Sequence, residues 1–296
     1  MFKTCLLVLL ALSASSQAKL SLPPTTGNFT YMKVNKDRGN RLSGNFTISD
    51  QNFTLGFSSV HSHLIMASQD CSHCLVTSKF NQTEALRTNS TSLSSSRLHY
   101  AKWYNLNFEA QSASDININK GNFYEGQIGL DFVSNNTSIN QTFFVIDSTD
   151  LKYHSELDGA IGIQSDMNDP NSTFVNKLVQ NGLIDSPVMS FYTSTTGNQS
   201  YVKFGSMDES AFEGNVSQVG TTNTNSWSLQ VVNASIGNDS LPIDSFMTVN
   251  LDPMLPYIYV PSAHWTIFKD SLKTNFGSDV ECDTFVGSCK FLNECS

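Results

Sequence analysis

The sequence predicts an all-β protein with two lobes and a few short helices. From residue 41 onward, short apolar runs alternate with polar residues and are separated by polar turns, which is the pattern of hairpin-connected strands. Two segments, 53–68 and 246–262, share one plan: an apolar strand, a three-residue hinge and a second apolar strand. Because the hinges occupy comparable places in the two halves, we expect one lobe around each hinge and a single site between the lobes.

The predicted strands follow one another along the chain. They read GNFTIS, NFTLGF, HLIMAS, LNFEAQ, GQIGLDFV, QTFFVID, VMSFYT, SYVKFG and WSLQVVNASIG. Two predicted helices interrupt them. The first, NSTFVNKLVQNGLI, has Asn171 or Ser172 as its N-cap and ends at Gly182, and the second lies between Pro261 and Gly277.

Residues 1–18 are a predicted secretory signal peptide. Lys3 is the short positive region, the apolar stretch from Cys5 to Leu12 is too short to span a bilayer, and residues 16–18 are a small-x-small cleavage site. Later apolar runs do not approach the length of a membrane span. We therefore expect a secreted or lumenal chain without a membrane span, in the extracellular space or in a lysosome-like compartment of the endomembrane system.

The composition supports the same compartment and limits the partners. Sequons for N-glycosylation begin at Asn28, Asn45, Asn52, Asn81, Asn89, Asn135, Asn136, Asn140, Asn171, Asn198, Asn215, Asn233 and Asn238. The alternative is a merely polar surface, since asparagine, serine and threonine are abundant. The formal net charge of −9 argues against nucleic acid and anionic membranes as partners. We expect a monomeric glycoprotein with no cofactor and no metal.

The cysteines also indicate an oxidising compartment. Cys5 leaves with the signal peptide, and a bond between Cys71 and Cys74 would close a small local loop. Among Cys282, Cys289 and Cys295, one thiol is left over. A zinc site at the C-x-x-C pair is disfavoured because no second close Cys or His pair has matching spacing.

At its hinges the chain resembles the pepsin-like aspartic peptidases, whose hallmark is Asp-Thr/Ser-Gly between two apolar strands in each lobe. Asp252, followed by PMLPYIYVPS, keeps the register of the second-lobe motif. Further segments resemble the family in the family's order: CSHC, ELDGAIGIQ, FVNKLVQNGLIDSPVMSFY, VKFGSMDESAFEGNVSQV and WSLQVVNASIG. The resemblance covers roughly residues 41–296 and implies the bilobal pepsin-like acid-protease fold, with CSHC as the family's small disulfide loop.

This resemblance implies an order of segments in the chain. After the signal peptide, residues 19–40 are a short tail or remnant pro-segment, 41–195 the N-terminal β lobe, and 196–296 a partial C-terminal β lobe. We expect the second lobe to be incomplete, because the family's strands after the last cysteines, including an Ile-Leu-Gly-Asp segment, have no counterpart here.

Ser58 stands where the resemblance implies the first catalytic aspartate, and Asp252 stands at the second. Family chemistry needs two carboxylates that share one proton, one acting as base and the other as acid. A serine hydroxyl does not replace a carboxylate base near or below neutral pH. We interpret Asp252 as a retained relic of the pair, with a hinge-capping aspartate as the alternative. A serine nucleophile served by His61 and His63 is disfavoured, since it also needs an oxyanion hole and a base within reach.

The neighbouring hinge residues differ from the family pattern as well. Val60 and Met254 stand where the motifs have glycine, which allows tight backbone turns and close approach of a substrate. Pro253 stands where the second motif has a hydroxyl residue that braces the opposite hinge, whereas Ser59 retains such a hydroxyl. Both hinges are therefore expected to deviate from the geometry of an active peptidase.

The flap hairpin implied by the resemblance lacks its usual aromatic pair. Asn119 falls near the position of the family's tyrosine, and Tyr124 lies on the other side of the hairpin tip. Ile65 replaces the tryptophan that contacts this tyrosine. Asp158 and Asp166 are assigned to turns rather than to catalysis.

Together these features predict a secreted, glycosylated and catalytically silent pepsin-family homologue whose cleft binds a peptide or protein. One alternative is an active aspartic endopeptidase with an unusual constellation of residues. Another is a structural surface glycoprotein with no function in the cleft. Ser58 in place of an aspartate is the observation that favours the silent homologue over the active enzyme.

Overall fold

The structure is a computed structural model of the chain. It describes residues 28, 30–36, 42–59, 61–83, 91–94, 119–130, 132–133, 137–149, 153–154, 157–164, 173–193, 200–222, 227–242, 247–254, 258, 260–283 and 288–292. The predicted signal peptide, the predicted strand LNFEAQ, Val60, Asp166 and Cys295 lie outside the described residues.

Strands dominate the described part of the chain, which confirms the predicted all-β class. In chain order they are β1 (Thr30–Lys33), β2 (Asn35–Lys36), β3 (Leu42–Ile48), β4 (Gln51–Ser58), β5 (Leu64–Ala67), β6 (Cys74–Leu75), β7 (Thr91–Ser94), β8 (Asn119–Gly129), β9 (Ser138–Thr149), β10 (Tyr153–His154), β11 (Gly159–Gly162), β12 (Met189–Tyr192), β13 (Tyr201–Phe204), β14 (Ser228–Gln230), β15 (Ala234–Ile236), β16 (Asp239–Leu241), β17 (Thr248–Asn250), β18 (Val280–Asp283) and β19 (Ser288–Phe291). Two helices lie wholly within the described residues, α1 (Phe174–Gln180) and α2 (Trp265–Phe276), and short 3-10 turns there cover Glu209–Ala211, Ser262–His264 and Gly277–Asp279.

The largest sheet has the strand order β2-β3-β4-β11-β5-β9-β8-β7. An additional pairing joins β3 to β8, which are far apart in this order. The strands β3-β4-β11-β5-β9-β8 therefore close into a barrel. β11 runs parallel to β4, and β5 runs parallel to β9. Buried aromatic side chains fill the main core, with Phe46, Phe57, Phe174 and Phe204 among them. This packing fixes the end of β4, where the first hinge begins.

A tight turn sets the register of the first hairpin. Ser49 and Asp50 join β3 to β4, and their φ angles are 48° and 62°. Two consecutive residues with positive φ are characteristic of a type I′ turn, whose twist matches that of paired strands. Ile48 pairs with Gln51, and the pairing continues to Ser43 opposite Gly56. The turn therefore determines which residues of β4 face the core and where the strand ends.

Residues 30–36, within the segment predicted to be a short tail or remnant pro-segment, form strands β1 and β2. β1 pairs antiparallel with β13, β13 pairs with β12, and β2 pairs with β3. Met32 and Val34 are buried in the main core. The three-stranded sheet β1-β13-β12 also takes strands from both sides of the lobe boundary expected at residues 195 and 196. These partners lie far away in sequence, so a local reading of the segment has no means of finding them.

The helices lie close to their predicted positions. The N-cap of α1 is Thr173, one residue after the predicted candidates, and its side chain accepts a hydrogen bond from the Asn176 N–H at 3.4 Å. Gly182 follows the helix with a φ of 68°, as expected for a residue that ends a helix. α2 lies between Pro261 and Gly277, as predicted.

The second part of the chain consists of strand pairs around α2. β14 pairs with β17, β15 with β16, and β18 with β19, all antiparallel. α2 contacts β15, β16 and β18, and the buried side chains of Ile236, Leu272 and Val280 form the core between these elements. Within the described residues, no helix has the length and apolar character needed to cross a membrane.

Candidate functional site between the two hinges

The first hinge begins where β4 ends at Ser58. β11 runs alongside in parallel, with Gly162 opposite Ser58, and the Ile163 N–H donates to the Ser58 carbonyl at 2.9 Å. Ser58 and Ser59 are both buried. The backbone of this hinge is therefore held by the sheet.

The second hinge follows β17 and begins at Asp252. The Leu251 N–H donates to the Trp227 carbonyl at 3.1 Å, which extends the pairing of β17 with β14 up to the hinge. The Asp252 carboxylate turns back on its own chain, because its Oδ1 accepts a hydrogen bond from the Met254 N–H at 3.1 Å. Such a local contact between an aspartate and the backbone two residues on is a common way to stabilise a turn.

The two hinges meet at the Asp252 carboxylate. Its Oδ1 also accepts from the Ser59 N–H at 3.1 Å, and the Ser58 hydroxyl donates to its Oδ2 at 3.5 Å. The Leu42 N–H donates to the Pro253 carbonyl at 3.2 Å, a further bond between the two halves. Burial raises the pKa of Asp252 above its ordinary value, and the hydrogen bonds from Met254, Ser59 and Ser58 oppose that rise.

Met254 crosses from the second hinge into the first lobe. Its side chain is 8% exposed and belongs to a buried cluster with first-lobe residues that include Ile65, Leu157 and the cysteine pair. Our sequence reasoning treated Met254 only as a substitution for a hinge glycine and missed this packing. The available signal was a large apolar side chain two residues after the charged Asp252.

His61 and His63, near the first hinge, are both packed against other parts of the first half of the chain. Burial, followed by the nearby His63, lowers the pKa of His61 from 6.5 to about 4. The His61 carbonyl accepts from the Gln164 N–H at 2.9 Å, and the His63 ring contacts the Phe123 ring edge-on at 5.2 Å. The Ser58 hydroxyl points its hydrogen bond at a carboxylate, which differs from the serine–imidazole pair of a serine hydrolase.

The residues assigned to the flap region lie apart from one another. Asn119 begins β8, where it pairs with Thr149. Tyr124 is buried and stacks on Phe143, with ring centroids 5.9 Å apart. Ile65 is buried in the same cluster as Met254. The structure therefore brings Ile65 close to the second hinge and places Tyr124 in the main core.

Asp158 joins two parts of the first lobe. Its Oδ2 accepts from the Thr54 N–H at 2.8 Å, and its Oδ1 accepts from the Ser78 N–H at 2.6 Å. Both of its carboxylate oxygens are thus engaged by backbone donors from β4 and from the loop that follows β6. This arrangement agrees with a structural role for Asp158.

The predicted disulfide between Cys71 and Cys74 is confirmed, and a second one joins Cys282 to Cys289. The second bond links residues that lie opposite each other in β18 and β19. Cys295 is outside the described residues, so an unpaired thiol there remains a prediction. Among the described residues, no cluster of His, Cys, Asp and Glu side chains has the geometry to hold a metal ion.

An exposed apolar pair lies beside the two hinges and was not identified from the sequence. The Trp227 indole N–H donates to the Ile163 carbonyl at 3.0 Å, and Ile163 itself is bonded to Ser58. The Trp227 side chain is nevertheless 44% exposed, and Leu251 is 50% exposed. Both apolar side chains thus remain partly in water beside the buried polar site.

Fold and site together define a β protein in which two hinges, one from each half of the chain, meet at a single buried site. A family model described as eukaryotic aspartyl protease matches residues 45–294. The chain therefore belongs to the eukaryotic aspartyl protease family, as the hinge motifs indicate. It is also similar to Vacuolar protease A of Arthroderma otae, with 31% identity over 91 residues, which cover 30% of this chain and 23% of that protein. The match thus spans less than a quarter of that relative's length.

Proposed function

We propose that this protein is a secreted, glycosylated member of the family that does not cleave peptides and instead binds a peptide or protein between its hinges. The observation that carries the proposal is the contact between Ser58 and Asp252, in which a hydroxyl stands opposite a carboxylate. Peptide hydrolysis in this family needs two carboxylates with separated pKa values.

The hydrogen bonds of Asp252 support this proposal. Oδ1 accepts two backbone N–H groups, one from each hinge, and Oδ2 accepts the Ser58 hydroxyl. A general base must instead direct a free lone pair at the water that it activates. In this protein the carboxylate acts as an acceptor that connects the hinges, and a lone carboxyl group cannot serve as acid and base in the same step.

The exposed pair of Trp227 and Leu251 supports a binding role. Both side chains lie next to the hinge residues, and Trp227 is held in place by its hydrogen bond to the Ile163 carbonyl. A rigid aromatic side chain is the kind of residue that contributes most to binding energy at interfaces. The expected ligand is an extended peptide with large apolar side chains.

The cysteines support a secretory location. Both disulfides in the described part of the chain suit an oxidising compartment, in agreement with the predicted signal peptide and sequons. We accordingly expect the protein to bind the apolar peptide outside the cell or in the lumen of the endomembrane system.

A proteolysis assay tests the catalytic part of the proposal. The purified secreted protein is incubated with denatured haemoglobin and with casein between about pH 2 and about pH 6, where family chemistry operates. We expect no cleavage above that of the Asp252→Ala variant. Cleavage that disappears in Asp252→Ala would contradict the proposal and would establish the alternative, an active aspartic endopeptidase.

Selection from a randomised peptide library tests the binding part. We expect the wild-type protein to enrich peptides with apolar side chains, and Trp227→Ala to lose this enrichment. Phe212→Ala is the matched control, since Phe212 is an exposed aromatic residue at the end of the Glu209–Ala211 turn. Absence of enrichment by the wild-type protein would refute the binding role and favour a structural glycoprotein.

A further inference from the structure

Three sequons lie on the outer face of the barrel. They begin at Asn45 in β3, Asn52 in β4 and Asn140 in β9, and all three asparagines are exposed. Side chains two residues apart on a strand point to the same face, so the asparagine and the hydroxyl residue of each sequon face outward together. The middle residues of the first two sequons, Phe46 and Phe53, point inward and are buried.

Strand pairing places these sequons next to one another. Asn45 lies opposite Thr54, and Thr47 lies opposite Asn52, so each sequon of the β3–β4 hairpin faces the other in reverse order. Thr47 also pairs with Gly129 of β8, which in turn pairs with Ser138 of β9. Asn140 lies two residues further along β9, on the same face. The sequons thus occupy one continuous surface across four neighbouring strands.

This surface, which we call the sequon face, has little charge. Its outward side chains on β3, β4, β8 and β9 are those of Asn45, Thr47, Asn52, Thr54, Gln127, Ser138, Asn140 and Thr142, together with Glu125. Exposed protein surfaces normally carry interspersed charges that keep them soluble. Although the chain has a net charge of −9, this face meets water almost entirely through uncharged amides and hydroxyls.

The hydrogen bonds of the hairpin leave the asparagine nitrogens available. The Thr47 hydroxyl donates to Asn52 Oδ1 at 2.9 Å, and the Thr54 hydroxyl donates to Asn45 Oδ1 at 3.2 Å. Each amide is therefore held through its oxygen, and neither Nδ2 atom hydrogen-bonds to any residue that the structure describes. By contrast, Asn81 is only half-exposed and is bonded through its backbone to the Gln51 side chain.

We propose that Asn45, Asn52 and Asn140 are all N-glycosylated and that their glycans cover the sequon face. The inference rests on the secretory location in the proposed function. In each modification a bond forms between Nδ2 and the anomeric carbon of the first sugar. The bond from that carbon to the diphosphate of a lipid-linked oligosaccharide donor breaks, and the amide proton leaves with the diphosphate group. Because Oδ1 keeps its threonine donor, the folded hairpin accommodates the linkage without losing a hydrogen bond.

Glycan mapping of the secreted protein tests this inference. The full chain is secreted from eukaryotic cells behind a heterologous signal peptide, and its glycans are removed with an amidase in heavy-oxygen water, which labels each formerly occupied asparagine. We expect label at Asn45, Asn52 and Asn140 in most molecules, and the loss of one glycan in each of the variants Asn45→Gln, Asn52→Gln and Asn140→Gln. A secreted protein in which any one of the three remains mostly unlabelled would overturn the inference.

Thr54 provides a matched pair of variants. Thr54→Ser keeps both the sequon of Asn52 and the hydroxyl that bonds to Asn45, so its glycan count should equal that of the wild-type protein. Thr54→Val removes the sequon and should lose the Asn52 glycan alone. Secretion by the native N-terminus is measured separately, so a failure of the secretory proposal is distinguishable from a failure at these acceptor sites, and neither readout depends on catalysis.

Discussion

The side chain of Met254 occupies the space above Gly56, where a β-carbon would lie 3.2 Å from Met254 Cγ. Gly56 belongs to β4 of the first lobe and Met254 to the second hinge, so the absence of a side chain at one position makes room for a side chain from the other half of the molecule. The same β-carbon would approach Leu157 Cδ1 to 2.8 Å. This contact, together with the hydrogen bonds of Asp252, holds the two hinges together.

Substitutions at this contact should be energetically coupled. We expect Met254→Ala to lower the free energy of unfolding by roughly 2–5 kcal/mol, because it leaves a cavity. Gly56→Ala should lower it by roughly 1–3 kcal/mol through overcrowding. The double variant should lose less than the sum, since the smaller residue at position 254 relieves part of the crowding. Urea denaturation measures all three values.

Gly220→Ala is the control for the glycine substitution, since a β-carbon there meets no atom within 4 Å. Strict additivity of the two changes would show that Met254 and Gly56 do not share their space in solution.

Asp252→Asn should stabilise the protein at neutral pH. Burial raises the pKa of Asp252 in the folded state, so its contribution to stability is fully present below the unfolded pKa of 3.8 and is lost as the pH rises through the folded value. Asparagine keeps an oxygen for the Ser59 and Met254 N–H groups but carries no charge. The advantage of the variant over the wild-type protein should therefore grow from acid to neutral pH, as measured by thermal unfolding.

Asp270→Asn, at an exposed position on α2, is the matched control for replacing an aspartate by an asparagine. An Asp252→Asn variant that loses stability as the pH rises would show that the charged carboxylate is favoured by the fold.

His61 should make the protein sensitive to acid. Its pKa falls from 6.5 to about 4 on folding, so the stability it contributes is present above 6.5 and is lost as the pH falls towards 4. The difference corresponds to roughly 3 kcal/mol. His61→Gln should remove most of this loss in denaturant titrations at a series of pH values. His73→Gln, in the small disulfide loop, serves as the control. If both variants change the acid sensitivity equally, His61 is not its source.

Ser58→Asp alone should not create an efficient peptidase. The new carboxylate would face Asp252 Oδ2, which the Ser58 hydroxyl now approaches to 3.5 Å, and the pair would titrate as a coupled unit with one pKa raised. Met254 would still fill the space over Gly56, and a displacement of about 1 Å in a catalytic group can cost on the order of a hundredfold in rate. We expect at most trace turnover of a peptide substrate at acid pH.

A variant that also carries Val60→Gly, Pro253→Thr and Met254→Gly should exceed the single variant, provided that it folds. Robust turnover by Ser58→Asp alone would show that the hinges already have a productive geometry and that the loss of activity rests on Ser58.

Local patterns in the sequence account for most of the strands and for both helices. Alternating apolar residues marked β3, β4 and β9, and the segment from Pro261 to Gly277 marked α2, because these signals arise within a few neighbouring residues. The two hinges could be paired from their common plan and from the family resemblance. The type I′ turn at Ser49 and Asp50 was not predicted, since neither residue is the glycine that usually identifies such a turn.

Contacts between distant parts of the chain could not be predicted in the same way. The packing of Met254 depends on the empty space at Gly56, and the hydrogen bond of the Trp227 indole depends on the position of the Ile163 carbonyl. Neither contact can be inferred from the residues next to Met254 or Trp227 in the sequence. The burial of Met32 and Val34 likewise follows from the docking of their strands onto partners elsewhere in the chain.

The pairing of β1 with β13 has a consequence for how the protein folds during its synthesis. Thr30 pairs with Phe204, so β1 cannot form this pairing until more than half of the chain has left the ribosome. Until then Met32 and Val34 lack part of their packing, and β1 has yet to pair, although β2 can already pair with β3 of the barrel. Contacts between residues so far apart in sequence form slowly because a large loop must close first. Until the residues of β13 arrive, the nascent first lobe therefore exposes apolar side chains that the finished fold buries.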